Sequence, residues 1–511
     1  MESNKTLERP ATKECRLGVP GWLGIVVVFA VLYGATAQRS VNWQDSGSFQ
    51  YRALVGNYER SLGLALSHPL YIALEQAVLW VGGHEHFPLL TNLLSAMGMA
   101  VALANVAVLA TWLSGRRWIG VLVTGVLGLG HTVWWLATIC ETYSWSLVGL
   151  TGELLLFTAF LRRPRAITLA GLALLSGLGL CIHNFALLPL PVYGIAALVL
   201  VIRRRLPAWS LATALGAYLL GAGLFLTMIA MQAVREGNFP GAIASALVGE
   251  FGGEVTNLVS ISKYWKENAL LSGMNFFNPM LPLAVVGWIR FRRRLGGPLA
   301  AALGAITLIE ILFFIRYPVP DQFMFILPSL VMIALGAAVG LAVIAEANRN
   351  LRRAVVGLCL LSLAAQPVFY AFAPDLARRF RGKPPSRRAF RDEWRYWLTP
   401  WKQNETSAEQ FSRAVCHIVK PDAVVLLDTT ALPPLQAYLA TSQQRQDISA
   451  MSLKQFGALK HDDPAMYREW VERRPIYIQP APSEKTAKKL FERATFSLCP
   501  EGLLYRVEPQ P

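Results

Sequence analysis

Apolar residues gather in long blocks along the chain, at about 21 to 37, 88 to 113, 118 to 138, 143 to 161, 166 to 182, 184 to 202, 208 to 231, 269 to 289, 297 to 315, 323 to 344 and 354 to 372. A helix needs roughly 20 predominantly apolar residues to cross a bilayer, and these blocks meet that length. A further patterned stretch, His68 to Gly83, falls short. It opens on His-Pro, carries Glu75 inside and offers about 15 suitable residues, so the pattern predicts an interfacial or re-entrant helix there. The sum is about eleven membrane-spanning helices, with residues 38 to 87 forming one large loop after the first.

The polar residues between the blocks set the topology. Arg116-Arg117, Arg162-Arg163-Pro164-Arg165, Arg203-Arg204-Arg205, Arg290 with Arg292-Arg293-Arg294, and Arg349 with Arg352-Arg353 occupy alternate junctions. By the positive-inside rule those loops are cytoplasmic. Residues 1–20, with Lys5, Arg9, Lys13 and Arg16, read as a cytoplasmic tail, and 21–372 as the transmembrane domain. The intervening junctions carry Glu141, His183, Glu250, Glu254 and Asp321, which face outward.

Residues 373–401 form a linker in which Arg378, Arg379, Arg381, Lys383, Arg387, Arg388, Arg391 and Arg395 alternate with Trp394, Trp397 and Trp401. Two readings stand for it: an interfacial belt able to hold anionic lipid headgroups, or a solvated linker. Long terminal domains translocate largely regardless of charge, so residues 402–511 are expected as a soluble extracytoplasmic domain. Ala423 to Leu427 and Pro475 to Gln479 have strand character, and an α/β or α+β module follows.

Composition agrees with this pattern. The chain has 511 residues, 54% hydrophobic and 16% charged, against about 25% charged in soluble domains. An ordinary soluble protein is excluded. The net charge of +16 would suggest nucleic acid on a soluble chain, but here the excess sits in the junctions that orient a membrane protein. Zinc-finger spacing, P-loop and dinucleotide fingerprint are all lacking. Of six cysteines only Cys416 and Cys499 share the soluble domain, and a disulfide between them would need an oxidising compartment.

Only thirteen acidic residues lie between Leu17 and Ala373, so each asks for a reason. Asp45 follows the first span in Asn42-Trp43-Gln44-Asp45-Ser46-Gly47, opening an amphipathic stretch (Phe49 to Leu66) along the outer surface; a helix N-cap would explain it equally. His68-Pro69 stands at the entrance of the short helix, Cys140-Glu141-Thr142-Tyr143 between two spans, Cys181-Ile182-His183-Asn184 between two more, and Arg316-Tyr317-Pro318-Val319-Pro320-Asp321 in a rigid outer loop. Glu153 and Glu310 lie within spans. Singly, each has a structural explanation in capping or helix-helix bonding. Jointly, Asp45, His68, Glu141, His183 and Asp321 collect on one membrane face, which packing alone does not require.

Asp45-Ser46-Gly47, His68-Pro69-Leu70-Tyr71 and Asn92-Leu93-Leu94-Ser95-Ala96, with Glu141-Thr142-Tyr143-Ser144, Gly179 to His183, Asp321 and Leu327-Pro328 further on, resemble the DUF2723 family of GT-C-fold membrane proteins. That family includes protein O-mannosyltransferase-like enzymes of the TMEM260 type. The likeness is strongest over residues 40 to 190, and in the tail it touches Val425 to Asp428, Pro434, Tyr438 and Arg445 to Ile448. Ser48 and Leu70 depart from the family's Asp-x-Gly-Glu and His-Pro-Pro-Gly.

The resemblance implies a multi-pass membrane glycosyltransferase that moves a monosaccharide, mannose first, from a polyprenyl-phosphate donor to an acceptor hydroxyl on protein or glycan at the outer face. A lipid phosphate is already a good leaving group, so one carboxylate base suffices and inversion is expected. Asp45 is the candidate base. Arg52, Arg60, His68, His183 and Arg316 are the candidates to hold the donor phosphate, and Glu141, Tyr143 and Asp321 to position sugar or acceptor. No metal site and no cofactor beyond the lipid-linked donor is read from the sequence. Two alternatives remain: a GT-C transferase acting on a lipid or cell-wall polymer, and a transporter or flippase. Against the latter, the polar groups sit at one face and no inverted repeat is visible.

Overall fold

A computed structural model describes residues 16–60, 62–257, 265–382, 384, 387–458, 469, 473–479 and 496–509. Residues 1–15 of the tail and Lys383 of the linker lie outside the described residues. Each of the eleven apolar blocks coincides with a helical segment. Among the described residues seven helices are long and apolar enough to cross a membrane, three more segments are bent helix pairs, and Ala166–Ile182 is shorter at 17 residues.

The chain begins with α1 (Val19–Thr36), α2 (Gln44–Val55) and α3 (Pro69–Ser114). α3 is two helices joined at Gly83, whose φ of 68° and ψ of 178° are not helical. Pro88 lies inside the second piece, about one turn past the kink. The first piece, from Pro69 to the kink, spans about 20 Å at about 1.5 Å per residue, too short for a hydrocarbon layer of about 30 Å. It is the short helix expected at His68.

α4 (Arg117–Gly128) and α5 (His131–Ala137) form a pair bent by 73°. α6 (Tyr143–Arg162), α7 (Ala166–Ile182) and α8 (Leu190–Ile202) are followed by α9 (Trp209–Gly221) and α10 (Gly223–Glu236), bent by 69°. α11 (Phe239–Leu247), α12 (Trp265–Gly273), α13 (Met280–Leu295), α14 (Gly297–Arg316), α15 (Leu327–Ala347) and α16 (Arg349–Arg381) complete the bundle. The span containing α15 is 94% buried and forms its axis. Backbones touch where α15 crosses α13: a Cβ on Gly287 would stand 1.9 Å from Gly336 O, and one on Gly340 1.9 Å from Leu283 O. Small residues at such crossings let helices associate by close packing where lipid removes the hydrophobic drive. Val28, Ile195, Ile289 and Leu361 point outward, exposed, as lipid-facing residues would.

The C-terminal region contains α17 (Glu393–Leu398), α18 (Ser407–Ile418), α19 (Leu432–Ser442) and a five-stranded sheet ordered β2-β1-β3-β5-β4. β1 (Val424–Leu427) lies parallel to β2 (Ser449–Ser452) and β3 (Ile476–Ile478); β5 (Leu504–Pro509) runs antiparallel to β3 and β4 (Phe496–Glu501). β1 is buried on both faces, as its unbroken apolar run requires. Cys416 and Cys499 are separate free thiols.

Two sequence expectations change here. The linker tryptophans are not a lipid-facing belt. Trp394 is buried, Trp397 stacks on Trp135 with ring centres 5.7 Å apart, and Trp401 meets Trp134 at 5.4 Å. The neighbouring Arg391 is buried with them, because Glu393 neutralises it at 2.8 Å. Nor does the stretch after Asp45 lie along a surface: α2 is largely buried between α3 and α19. Gly47 makes that possible, since a Cβ there would stand 2.3 Å from Asn42 O and 3.2 Å from Pro434 N.

Candidate active site

α2 and the chain after it build the site. Trp43, not Asp45, is the N-cap, and Asp45 sits in the first helical turn, where the helix dipole favours an anion. Gln44 adopts a left-handed φ of 55° and gives its N–H to Thr430 O of the C-terminal domain at 3.3 Å. Asp45 Oδ1 accepts a hydrogen bond from Arg60 Nη2 at 2.5 Å, with the Asp45 side chain 48% exposed and that of Arg60 15%. Ser46 donates to Glu141 Oε1 at 2.7 Å.

Glu141 is buried and Asp321 half-buried in the same pocket of charge. Burial pushes the Glu141 carboxyl well above the usual carboxylate range; the Ser46 hydroxyl opposes this, and Asp45 and Asp321 add to it. Asp321 is raised to about 6, by burial first and then by Asp45. Arg60 answers both. Burial works against its charge, but Asp45, Glu141 and Asp321 together keep it a firm cation. One guanidinium thus faces three carboxyl groups.

His68 closes the site from the other side. Its backbone is left-handed (φ 50°, ψ 51°), a conformation costing about 1 kcal/mol or more for a non-glycine residue. Nδ1 lies 2.8 Å from Ile182 O, which fixes it as the protonated nitrogen of the neutral ring. His183 stacks on it with ring centres 5.1 Å apart, and accepts the Phe185 N–H at Nδ1, 3.1 Å away. The proton of neutral His183 is therefore on Nε2. Burial holds both rings uncharged: His68 well below its ordinary value, helped by His183 and Arg52, and His183 at about 3. Tyr143 packs on His183 at 5.3 Å and on Phe325 at 5.7 Å.

The structure therefore brings together Asp45, Arg60, Glu141 and Asp321, with His68, His183 and Tyr143 adjoining. Two candidates serve elsewhere. Arg52 is buried and donates to the carbonyls of Asn57, Tyr58, Leu66 and Ser67, stitching the loop onto α2. Arg316 donates to Asn257 O at 2.6 Å, tying its loop to the segment after α11. The sequence reading missed Ser46 as the partner of Glu141. It also missed the network behind the site, in which Cys140 donates to Glu75 at 2.6 Å and Ser95 Oγ accepts the Glu141 N–H at 3.0 Å. Glu75 and Ser95 were visible as polar residues inside the apolar α3. Among the described residues no group of three or more His, Cys, Asp or Glu side chains is placed to hold a metal ion.

A multi-helix membrane bundle with a small sheet domain seated over a polar site at one end is the GT-C fold, and this chain has it. Two solved structures that share the fold are ArnT from Cupriavidus metallidurans bound to undecaprenyl phosphate (TM-score 0.55, 14% identity, 96% of this chain and 100% of that one) and the same protein in the apo state (TM-score 0.54, 15% identity, 96% and 99%). At such identities the likeness is one of fold. No protein-family model matches the sequence, and no curated protein matches it.

Proposed function

We propose that this protein is a membrane glycosyltransferase that takes a monosaccharide from a polyprenyl-phosphate donor and places it on an acceptor hydroxyl at the outer face. The observation that carries the reading is the half-exposed Asp45 carboxylate, held by Arg60 beside Glu141 and Asp321, with the His68–His183 pair adjoining, in a GT-C bundle. The ArnT structure with undecaprenyl phosphate supports a lipid phosphate as the carrier. The DUF2723 resemblance directs the finer choice to mannose as the sugar and to protein or glycan hydroxyls as acceptors.

In the step itself the acceptor hydroxyl gives its proton to Asp45 while its oxygen bonds to the anomeric carbon. The bond from that carbon to the phosphate oxygen breaks, and the electron pair leaves on the polyprenyl phosphate. Displacement from the opposite side inverts the anomeric configuration. Charge gathers on the leaving phosphate, so a preorganised donor there lowers the barrier. Arg60 supplies a cation and His183 Nε2–H a neutral donor. Neutral His68, whose Nε2 is an acceptor, binds the phosphate only as imidazolium. Glu141 and Asp321 position sugar hydroxyls and hold Arg60.

The test is transfer of radiolabelled mannose from polyprenyl-phosphate-mannose in membranes expressing wild type or Asp45→Asn, counting protein, glycan and lipid fractions separately. Label that disappears in the variant is the expected result. Full transfer by Asp45→Asn would remove Asp45 as base, and failure of wild type across several sugar donors would remove the transferase reading.

A further inference from the structure

Beside the site, the loop after α2, the end of α10 and the segment from α11 to Glu250 line an open cavity of about 670 Å³, within the roughly 300–1,000 Å³ typical of small-molecule sites. Arg60 forms part of its wall while bonding Asp45, so a ligand in the cavity lies one guanidinium away from the candidate base. The cavity is constructed by close backbone approach. Gly63 (φ 110°) and Gly249 (φ 56°) meet where a Cβ on either would stand 2.7 or 2.6 Å from the opposite chain, and Ser245 Oγ accepts the Leu64 N–H at 3.0 Å.

The polar groups of the wall are mostly matched to one another. Arg235 holds Glu59 with two bonds of 3.1 and 3.0 Å, Gln232 Nε2 donates to Glu236 at 2.9 Å, and Lys454 reaches Glu250 at 2.6 Å. One group is left over. Gln232 Oε1 is buried without a donor, and the Nε2 bond to Glu236 fixes which end of the amide it is. A buried acceptor without a donor is costly and calls for an O–H or N–H from a ligand or water.

We propose that this cavity is the acceptor site and that it takes a neutral, hydroxyl-rich group, the sugar unit of a glycan; the inference rests on the transferase reading above. Carboxylates from Glu59, Glu236 and Glu250 alternate with the guanidiniums of Arg60 and Arg235, so an anionic or a cationic ligand would meet like charge on some wall. A hydroxyl both donates and accepts, and can answer carboxylate, amide oxygen and guanidinium alike. The apolar lining reduces to Leu62, Leu64 and Ala244, which offers little to acyl chains or apolar peptide side chains. A hydroxyl entering past Arg60 arrives at Asp45, to which it gives its proton as its oxygen bonds the anomeric carbon.

The experiment uses the full chain in lipid nanodiscs, with mannobiose and a Ser/Thr-rich peptide as probes and saturation-transfer NMR as the readout. Ala244→Trp fills the cavity from an exposed position, and Gln232→Leu removes the unmet acceptor. Expected is mannobiose binding weakened about tenfold or more by Ala244→Trp and about fivefold by Gln232→Leu. Binding of mannobiose that is indifferent to Ala244→Trp, or wild type that binds the peptide and not the sugar, would overturn the proposal. Because binding is read without turnover, a wild type that binds mannobiose in the cavity yet transfers nothing would retire the transferase reading and leave the site.

Discussion

Two clusters of buried charge flank Trp43, and they are built on opposite plans. Toward the C-terminal domain, Arg391 and Glu393 form a two-pronged ion pair of 3.0 and 2.8 Å with both side chains 2% exposed. Trp397 Nε1 adds a bond to the Glu393 carboxylate, and the Arg391 guanidinium lies over the rings of Tyr396 at 4.3 Å and Trp43 at 5.2 Å. Trp43 itself is bonded to Ser407 at 2.8 Å. Here one cation meets one anion, both out of solvent, with Arg391 Nη1 alone lacking a partner. Around Asp45 the balance is one guanidinium against three carboxyls, with Asp45 half open. A matched, closed cluster fixes the domain on α2; an unmatched, open one is what the proposed substrate would complete.

If that contrast holds, mutations on the two sides separate activity from stability. Asp45→Asn should cut transfer by about 10³-fold, within the 10²–10⁴ that a positioned base contributes, and leave the melting temperature of the purified protein unchanged. A large loss of stability would make Asp45 a structural anion. Glu393→Ala, by contrast, strands Arg391 in an apolar seam, and breaking a buried pair costs about 3–5 kcal/mol. Thermal melts should fall by several degrees, and activity per folded molecule should survive at low temperature. Unaltered melting would show the cluster to be hydrated.

Asp321 sharpens the open side. Raised to about 6 mainly by burial, it is neutral in acid and ionised above that pH, facing Asp45, Arg60, Glu141, Tyr143 and Tyr317. If its charge holds Arg60 and the sugar, kcat/KM should rise about tenfold through a limb near pH 6. Asp321→Asn should flatten that limb at its low-pH level. A limb that persists belongs to another group.

The bundle was readable from the sequence because lipid forces apolar runs of fixed length, and the bends were not, because each bent pair keeps its apolar composition through the break. Asp45, Glu141, His183 and Asp321 stood out as rare polar residues at loop positions on one face. What pairs with what did not, since Arg52 and Arg60 look equivalent in the loop. Only the fold shows the first spent on four carbonyls and the second on Asp45. The linker tryptophans misled for a similar reason: a Trp/Arg alternation suits an interface with lipid or with another domain, and spacing alone does not distinguish them.

Lys402 gives the smallest and most specific test of the closed side. Its amine is buried, donating to Thr399 O at 2.9 Å and to Tyr396 O, and lies 5.3 Å from the Trp135 ring centre. Burial lowers it from 10.5 to about 7, with Glu405 opposing and Arg391 and Arg395 adding. Below pH 7 the lysine is charged in both folded and unfolded chains. Between about 7 and 10.5 the unfolded chain binds the extra proton, so stability grows with pH across that window, by about 1 kcal/mol from pH 7 to 8. Lys402→Met should be less stable at every pH, because two carbonyls lose their donor, and should lose that particular rise. Melting curves of the two proteins at pH 6, 7, 8 and 9 would decide it; parallel pH profiles would mean that water reaches the amine and that the seam over Trp135 is open.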